Sequence, residues 1–426
     1  MIRICQHLNE ESESWFAWFT GVGTEHFWVC FNCAQMFPNL PSNLVDADPE
    51  VIQSPDSFEF MGGCCGFLGS PEVRHRQANV YFSHRNHMSP LPKCEEVIDI
   101  QADSLGRWIC LTSSAAVFIL DLEAGQCEHL VQLYPHFPID AGVSLRVSKK
   151  LDFLAVFQTF GQHGIVVDLI ASAAPLVLDR GNGRFENSCF PIAFFEASEQ
   201  TRLVVATHCW RLDILDPASG RVLTPRVLES ASLSPRDRCF FHGQVLVSSN
   251  NEWIVGYGWV WHPQGQIRSW SLTEWLHANP FECENGTSRR HLSFREYMWN
   301  LPLCWIDAQT IAVWGWGGDS DTINPVNRGV IPAVRFYNVA TGIEQKWFAG
   351  PEACCWREAS AKKHLPSLFF DGYLFSIGND GTTVWDIGTG ERILHDEAFM
   401  PIQFNPVAHE FLTWTGEYFK LSKLAE

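Results

Sequence analysis

From about residue 94 onward one phrase keeps returning, and it limits the fold more tightly than any other feature of the chain. An apolar run ends in Asp or Asn, and a small residue and then Gly follow three and four positions later. The clear copies are Val117-Phe118-Ile119-Leu120-Asp121 with Ala124-Gly125, Leu212-Asp213-Ile214-Leu215-Asp216 with Ser219-Gly220, Val334-Arg335-Phe336-Tyr337-Asn338 with Thr341-Gly342, and Thr383-Val384-Trp385-Asp386 with Thr389-Gly390. Weaker copies end at Val167-Asp168 and Trp270-Ser271. The chemistry is that of a tight hairpin: the apolar run is a strand, Asp or Asn bonds the backbone that follows it, and Gly takes positive φ at no steric cost. Each copy therefore predicts a strand, a corner and a second strand. The anchors at 121, 168, 216, 271, 338 and 386 stand 47, 48, 55, 67 and 48 residues apart, against roughly 40 to 50 for a four-stranded propeller blade. The two long gaps predict insertions.

Two further strand-like runs precede each corner, as in Val97-Ile98-Asp99-Ile100 and Trp108-Ile109-Cys110-Leu111. Blades are expected at about 94–135, 144–181, 188–228, 241–283, 300–350, 365–397 and 398–426. The last unit is one strand short, and Asn79-Val80-Tyr81-Phe82-Ser83 is a strand without a blade. Joining the two removes both free sheet edges, which would otherwise template aggregation. The expected fold is thus all-β: a seven-bladed β-propeller over 78–426, closed by an N-terminal strand, behind a small Cys-containing N-terminal segment over 1–77. Inner strands lie between neighbouring sheets, so unbroken apolar runs such as Thr310-Ile311-Ala312-Val313-Trp314 are what they require.

Two spellings resemble known propeller repeats. Trp385-Asp386-Ile387-Gly388-Thr389-Gly390 resembles the WD repeat, and Tyr337-Asn338-Val339-Ala340-Thr341-Gly342 with Trp347 resembles the quinoprotein repeat. The resemblance runs from about residue 94 to the end and implies a propeller without fixing a subfamily. Only one copy carries both the Gly and the trailing Trp of the quinoprotein pattern, and the glycine-histidine pair of WD repeats is missing before most blades.

Composition narrows the partners. A net charge of −18 repels polyphosphate and anionic lipid, which argues against nucleic acid and membrane. The start has no apolar signal core, and no stretch of about 18 uncharged apolar residues follows. Fifteen cysteines, an odd number set mostly in apolar runs, read as small buried hydrophobes of a reducing compartment. The expectation is a monomer in the cytoplasm, with Asn285-Gly286-Thr287 unglycosylated.

Cys30-Phe31-Asn32-Cys33 has the two-residue gap of a zinc knuckle, because residues so spaced in a tight turn aim both sulfurs at one ion. A structural site needs four ligands, and Cys64 with Cys65 is the available second pair, with His26 as a substitute. The competing reading is a reduced thiol cluster. Asp319 and Asp321 sit two apart like calcium ligands, but Ile323 occupies the next ligand position, so a solvated loop is preferred. His208 and His262 read as locally satisfied. No nucleophile elbow, phosphate loop, dinucleotide fingerprint or paired-His metal helix is present.

The insertions fall near 276–299 and 317–332, and long loops on a rigid ring are where binding resides. The first is expected to join an outer strand to the next inner one and the second to join the middle strands of its blade, which would bring both out on one face. Arg289, Arg290, Arg295, Tyr297 and Trp299, with Asp319, Asp321 and Arg328 opposite, form the expected contact set, since Arg and aromatics are enriched at interface hot spots. The expected function is a non-enzymatic scaffold for a protein or peptide partner. The alternative is a hydrolase, lyase or quinone-dependent enzyme at the channel mouth.

Overall fold

Alternation along single strands explains how these runs fold. In the strand Trp108–Thr112, Ile109 and Leu111 join a cluster with Leu145, Leu154 and Val156, whereas Trp108 and Cys110 join another with Leu412, Phe419 and Leu421. Successive side chains point to opposite sheet faces, so an unbroken apolar run supplies two interfaces at once. Phe153–Gln158 repeats the division: Leu154 and Val156 pack toward Ile109, while Phe153, Ala155 and Phe157 pack toward Leu203 and Val205. Sheets built in this way must stack face to face around an axis.

A computed structural model describes residues 16–20, 26–30, 36–37, 73–76, 78–171, 173–182, 185–208, 210–226, 240–259, 264–296, 300, 302–317, 331–350 and 367–425. The chain divides into two compact units. In Met1–Pro71 with Trp316–Pro332, the backbone forms an antiparallel three-stranded sheet of Phe16–Thr20, His26–Cys30 and Met36–Phe37. Glu72–Gly315 with Ala333–Glu426 is a seven-bladed β-propeller of antiparallel sheets.

Blade 1 comprises Val97–Ala102, Trp108–Thr112, Ala116–Asp121 and Gln126–Gln132. Blade 2 comprises Val143–Val147, Phe153–Gln158, His163–Asp168 and Leu176–Asp179. Blade 3 has, among the described residues, the strands Ile192–Ala197, Gln200–His208 and Arg211–Leu215. Blade 4 comprises Phe241–Val247, Trp253–Trp259, Gln264–Ser271 and Arg290–Glu296. Blade 5 comprises Leu303–Trp305, Thr310–Gly317, Ile331–Asn338 and Glu344–Ala349. Blade 6 comprises Ser367–Asp371, Tyr373–Gly378, Gly381–Asp386 and Glu391–Asp396. Blade 7 takes Gln403–Asn405, Glu410–Trp414 and Tyr418–Ala425 from one end of this range and Tyr81–Met88 from the other. Tyr418 lies opposite Met88 and Ala425 opposite Tyr81, so the two strands pair over their full length. Phe82 sits at 4.2 Å from Phe399 in the core between blades 6 and 7.

First strands touch between blades 7 and 1, 1 and 2, 2 and 3, 3 and 4, and 5 and 6, which places them nearest the axis. The turns after them are also linked. Asn405 donates through Nδ2 to the Gly106 carbonyl at 2.8 Å, Lys150 pairs with Glu196 at 2.8 Å, and His409 meets Asp371 at 2.8 Å.

The repeated corners form as their spelling demands. Asp121 accepts from Ala124 N, Asn338 from Ala340 N and Thr341 N, and Asp386 from Gly388 N and Thr389 N, all between 2.8 and 3.2 Å. Gly220, Gly342 and Gly390 each have φ near +70° and each return N–H to the anchor carbonyl at 2.8 Å. In blade 6 the Trp385 indole also donates to buried Ser376 Oγ at 2.9 Å, tying the two middle strands together. The sixth copy, at Trp270-Ser271, departs from expectation. Ser271 starts a helix, and the fourth strand of blade 4 returns only at Arg290.

Partial burial tends to raise the Asp386 carboxyl, but the amides of Thr389 and Gly388 and the Arg76 guanidinium outweigh it and hold the group below the usual carboxylate range. Its stabilising contribution is therefore complete above that range and fades as pH falls through the folded value. Asp386→Asn is expected to be less stable than wild type at neutral pH, with the gap narrowing in acid. Denaturant unfolding across pH measures this, and a gap that does not narrow would refute the assignment.

Candidate interaction surface

The helical excursion of blade 4 starts at an N-cap in Ser271-Leu272-Thr273-Glu274, with the Ser271 amide donating to Ser288 Oγ at 2.9 Å. Ser271 Oγ accepts from Glu274 N at 3.2 Å and caps the helix α1, Leu272–His277. Leu272 and Trp275 face inward and join the core between blades 3 and 4, with Trp275 edge-on to Trp270 at 5.8 Å. The Trp275 indole donates to the Pro280 carbonyl at 3.1 Å, folding the chain back into α2, Glu282–Asn285.

Two buried carboxylates then fix the excursion. Glu282, 1% exposed, accepts from Ser288 N at 2.7 Å, Ser288 Oγ at 2.6 Å and Asn279 Nδ2 at 3.0 Å. A Cβ on Gly286 would fall about 2 Å from the Glu282 carboxyl, so any larger residue there would displace that carboxylate from its partners. Glu284 pairs with Arg226, whose guanidinium also bonds the Leu212 carbonyl and, at 3.1 Å, Asp213. Arg211 takes the other side of Asp213 at 2.7 Å. Phe281 lies against the Arg226 guanidinium at 5.4 Å. Burial and the adjacent Glu284 push the Cys283 thiol well up, and Cys283 Sγ lies 3.1 Å from Glu284 Oε2 as a neutral donor. One arginine thus ties blade 3 to the excursion. Outward, Thr273, Glu274, His277, Asn285 and Thr287 are exposed.

The expected contact residues separate on this scaffold. Arg290 opens the outer strand of blade 4 and donates to the carbonyls of Ala340, Thr287 and Arg289 at 2.8 to 3.1 Å, which makes it a tie to blade 5. It lies against Gly342, where φ is +76°. Arg289 precedes it, half-buried, and Arg295 occupies the same strand opposite Gly265. Tyr297, Trp299, Asp319, Asp321 and Arg328 lie outside the described residues, as do Cys33, Cys64 and Cys65. Cys30 ends a strand of the first unit. Among the described residues no group of three or more His, Cys, Asp or Glu side chains could hold a metal ion, and no helix is long and apolar enough to cross a membrane.

The shared-face expectation is corrected by topology. The excursion joins the third and fourth strands of blade 4, whereas the long connection of blade 5 joins its second and third. Antiparallel strands alternate direction, so these connections attach at opposite ends of their sheets.

At the end opposite the excursion, the chain from blade 2 to blade 3 is held by Arg180. This buried guanidinium donates to the carbonyls of Gly161, Cys189, Phe185 and Ser188 at 2.8 to 3.1 Å. Cys189 N bonds Asn300 Oδ1 at 3.4 Å, and Ser188 and Cys189 lie close above Gly243 in the first strand of blade 4, where an added Cβ would fall 2.9 Å from the Tyr257 carbonyl and 3.5 Å from Ser188 Cβ. The segment therefore contacts the first strand of blade 4 and the residue Asn300 ahead of blade 5. Burial pushes the Cys189 thiol up to about 11.

The N-cap at Ser271 was readable as a helix start. Arg180 and Arg226 carried no local signal, because their partners are assembled from distant segments. No family model matches the chain, and no curated protein matches it. Among solved structures it is similar to a chain in the crystal structure of the mitotic checkpoint complex, at 11% identity over 84% of this chain and 98% of that one, with a TM-score of 0.46. It is also similar to the Cps50 (Swd1) β-propeller domain of Myceliophteria thermophila, at 11% identity over 68% and 84%, with a TM-score of 0.43.

Removing one partner of a buried ion pair costs about 3 to 5 kcal/mol, because the remaining charge is left uncompensated. Arg226→Met is expected to fall in that range by denaturant unfolding, with Glu284→Gln in the same chain recovering part of it. A loss below about 1 kcal/mol, the scale of exposed pairs, would show that Arg226 does not hold the excursion.

Proposed function

We propose that this chain is a protein-interaction scaffold, a propeller that presents the excursion of blade 4 to a protein or peptide partner without performing chemistry. The observation that carries this reading is the fixing of residues 271–289 by two buried carboxylates, Glu282 and Glu284, beneath an outward face of exposed polar side chains. A rigid platform whose side chains are ordered in advance lowers the entropy lost on association. The Arg180-held segment favours this over an enzyme at the channel mouth, since it occupies part of that end with backbone. The contact set is Thr273, Glu274 and His277, continued along the chain by Arg289, Arg295, Tyr297 and Trp299. Asp319, Asp321 and Arg328 form a second proposed contact. Free cysteines at Cys94, Cys110, Cys127, Cys189, Cys283 and Cys304 support a reducing, cytoplasmic setting.

The test is affinity capture from the native host by full-length protein carrying Thr273→Arg, Glu274→Arg and His277→Glu together. These side chains are exposed, so melting should be unchanged while capture of the wild-type partner falls at least tenfold. Full capture by the folded variant would remove the excursion as the contact.

Zinc at Cys30, Cys33, Cys64 and Cys65 belongs to the same proposal, on the strength of the ligand spacing alone. Metal analysis of purified protein is expected to give one zinc per chain that Cys30→Ser with Cys33→Ser abolishes. Protein isolated without zinc, and unable to take it up, would dispose of the site.

A further inference from the structure

Asp99, Arg146, Phe194, Gln244 and Phe369 lie inside the first strands of blades 1, 2, 3, 4 and 6, yet each is only half-buried. A first strand has a blade on either flank and a second strand outside it, so water reaches these positions from the axis. Their exposure marks an axial channel. Two of the five are charged, and one residue of blade 2 fixes both. Leu145 donates its N–H to Asp99 Oδ2 at 2.7 Å, and its carbonyl accepts from Arg146 Nη1 at 2.8 Å. The N–H and C=O of a strand residue leave the same edge, and the second strand of the blade lies on the other. Carboxylate and guanidinium therefore stand side by side at the axis. Asp99 Oδ1 also accepts from Ile100 N at 2.8 Å. No ion pair joins Asp99 to Arg146, and among the described residues nothing accepts from Arg146 Nε or Nη2.

We propose that the axial channel binds a small zwitterion of the α-amino acid class, with Arg146 receiving its carboxylate and Asp99 its ammonium. The reason is the hydrogen-bonding capacity left on each group. A carboxylate offers about four acceptor positions, and Asp99 has filled two of them with backbone amides. Arg146 keeps Nε and Nη2, the side of the planar fork that holds a carboxylate by two parallel bonds. Simple ions do not suit the pair. An anion at Arg146 meets Asp99 beside it, and a cation at Asp99 meets Arg146. A ligand that carries both charges on neighbouring groups incurs neither repulsion. The rest of the wall named above, Phe194, Gln244 and Phe369, adds no charge. Burial raises the Asp99 carboxyl despite the nearby guanidinium, so its ionised form is undercompensated and an ammonium supplies the missing partner.

Calorimetric titration of the full-length protein with each standard L-amino acid tests this. At least one is expected to bind, one per chain. The N-acetyl derivative and the methyl ester of that amino acid each lack one charge and should bind at least tenfold more weakly. Sodium acetate and methylammonium chloride, each carrying a single charge, should give no heat of binding at the same concentrations. Arg146→Gln should lose affinity by a similar factor. Asp99→Asn keeps an acceptor oxygen for Leu145 N and removes the charge, so it should do the same; if either variant fails to fold, the derivatives of the ligand still decide. Absence of binding by every amino acid would overturn the site. So would full affinity for the ester or the acetylated form, or unchanged affinity in folded Arg146→Gln, which would put the ligand elsewhere.

Discussion

A β-sheet that is apolar on both faces has nowhere to put either face except against another such sheet. In this chain the constraint operates within single strands, where Ile109 and Leu111 serve one interface and Trp108 and Cys110 the other. No blade can then be ordered independently of its two neighbours, and stability becomes a property of the stack. The constraint also sets what the corners must do. Sheets that bury both faces cannot steer the chain with amphipathic pattern, so register is set at the turns, by Asp or Asn side chains that bind the next amides and by glycines at positive φ.

That division of labour explains what was legible from the amino acids. Corner chemistry is local: an anchor at Asp121 needs only Ala124 and Gly125, so the spelling reports the structure and the spacing reports the blade count. The strongest departure occurs where the spelling was weakest. Ser271 has neither a carboxylate nor a glycine four positions on, and with Glu274 three positions ahead its hydroxyl caps a helix instead of closing a hairpin. Read as a poor corner, it misassigned 272–289 and with it the side of the ring on which that chain emerges.

The residues that hold the excursion were not legible for a different reason. Arg226 meets Glu284 across 58 positions and Arg180 gathers four carbonyls from two loops. Nothing in a one-dimensional pattern marks an arginine that will be buried, since its partners exist only after the ring has formed. Arg290 shows the converse: an arginine in a basic cluster reads as a contact residue, yet its donors are spent on backbone carbonyls of its own and the next blade.

The ring also has to manage its rim, because each blade ends in an outer strand with one unpaired edge. Different blades solve this with different chemistry. In blade 3 the third strand is met by a single bridge from Leu215 to Val222, by Thr224 Oγ1 on Ile214 N and by the Arg226 guanidinium on the Leu212 carbonyl. In blade 6 the edge is met by backbone and side chains of residues 74–76. A guanidinium buried beneath a helix is a permanent cover, whereas two backbone bonds and an exposed imidazole are a weak one. Rim chemistry therefore grades the edges by how readily each is uncovered.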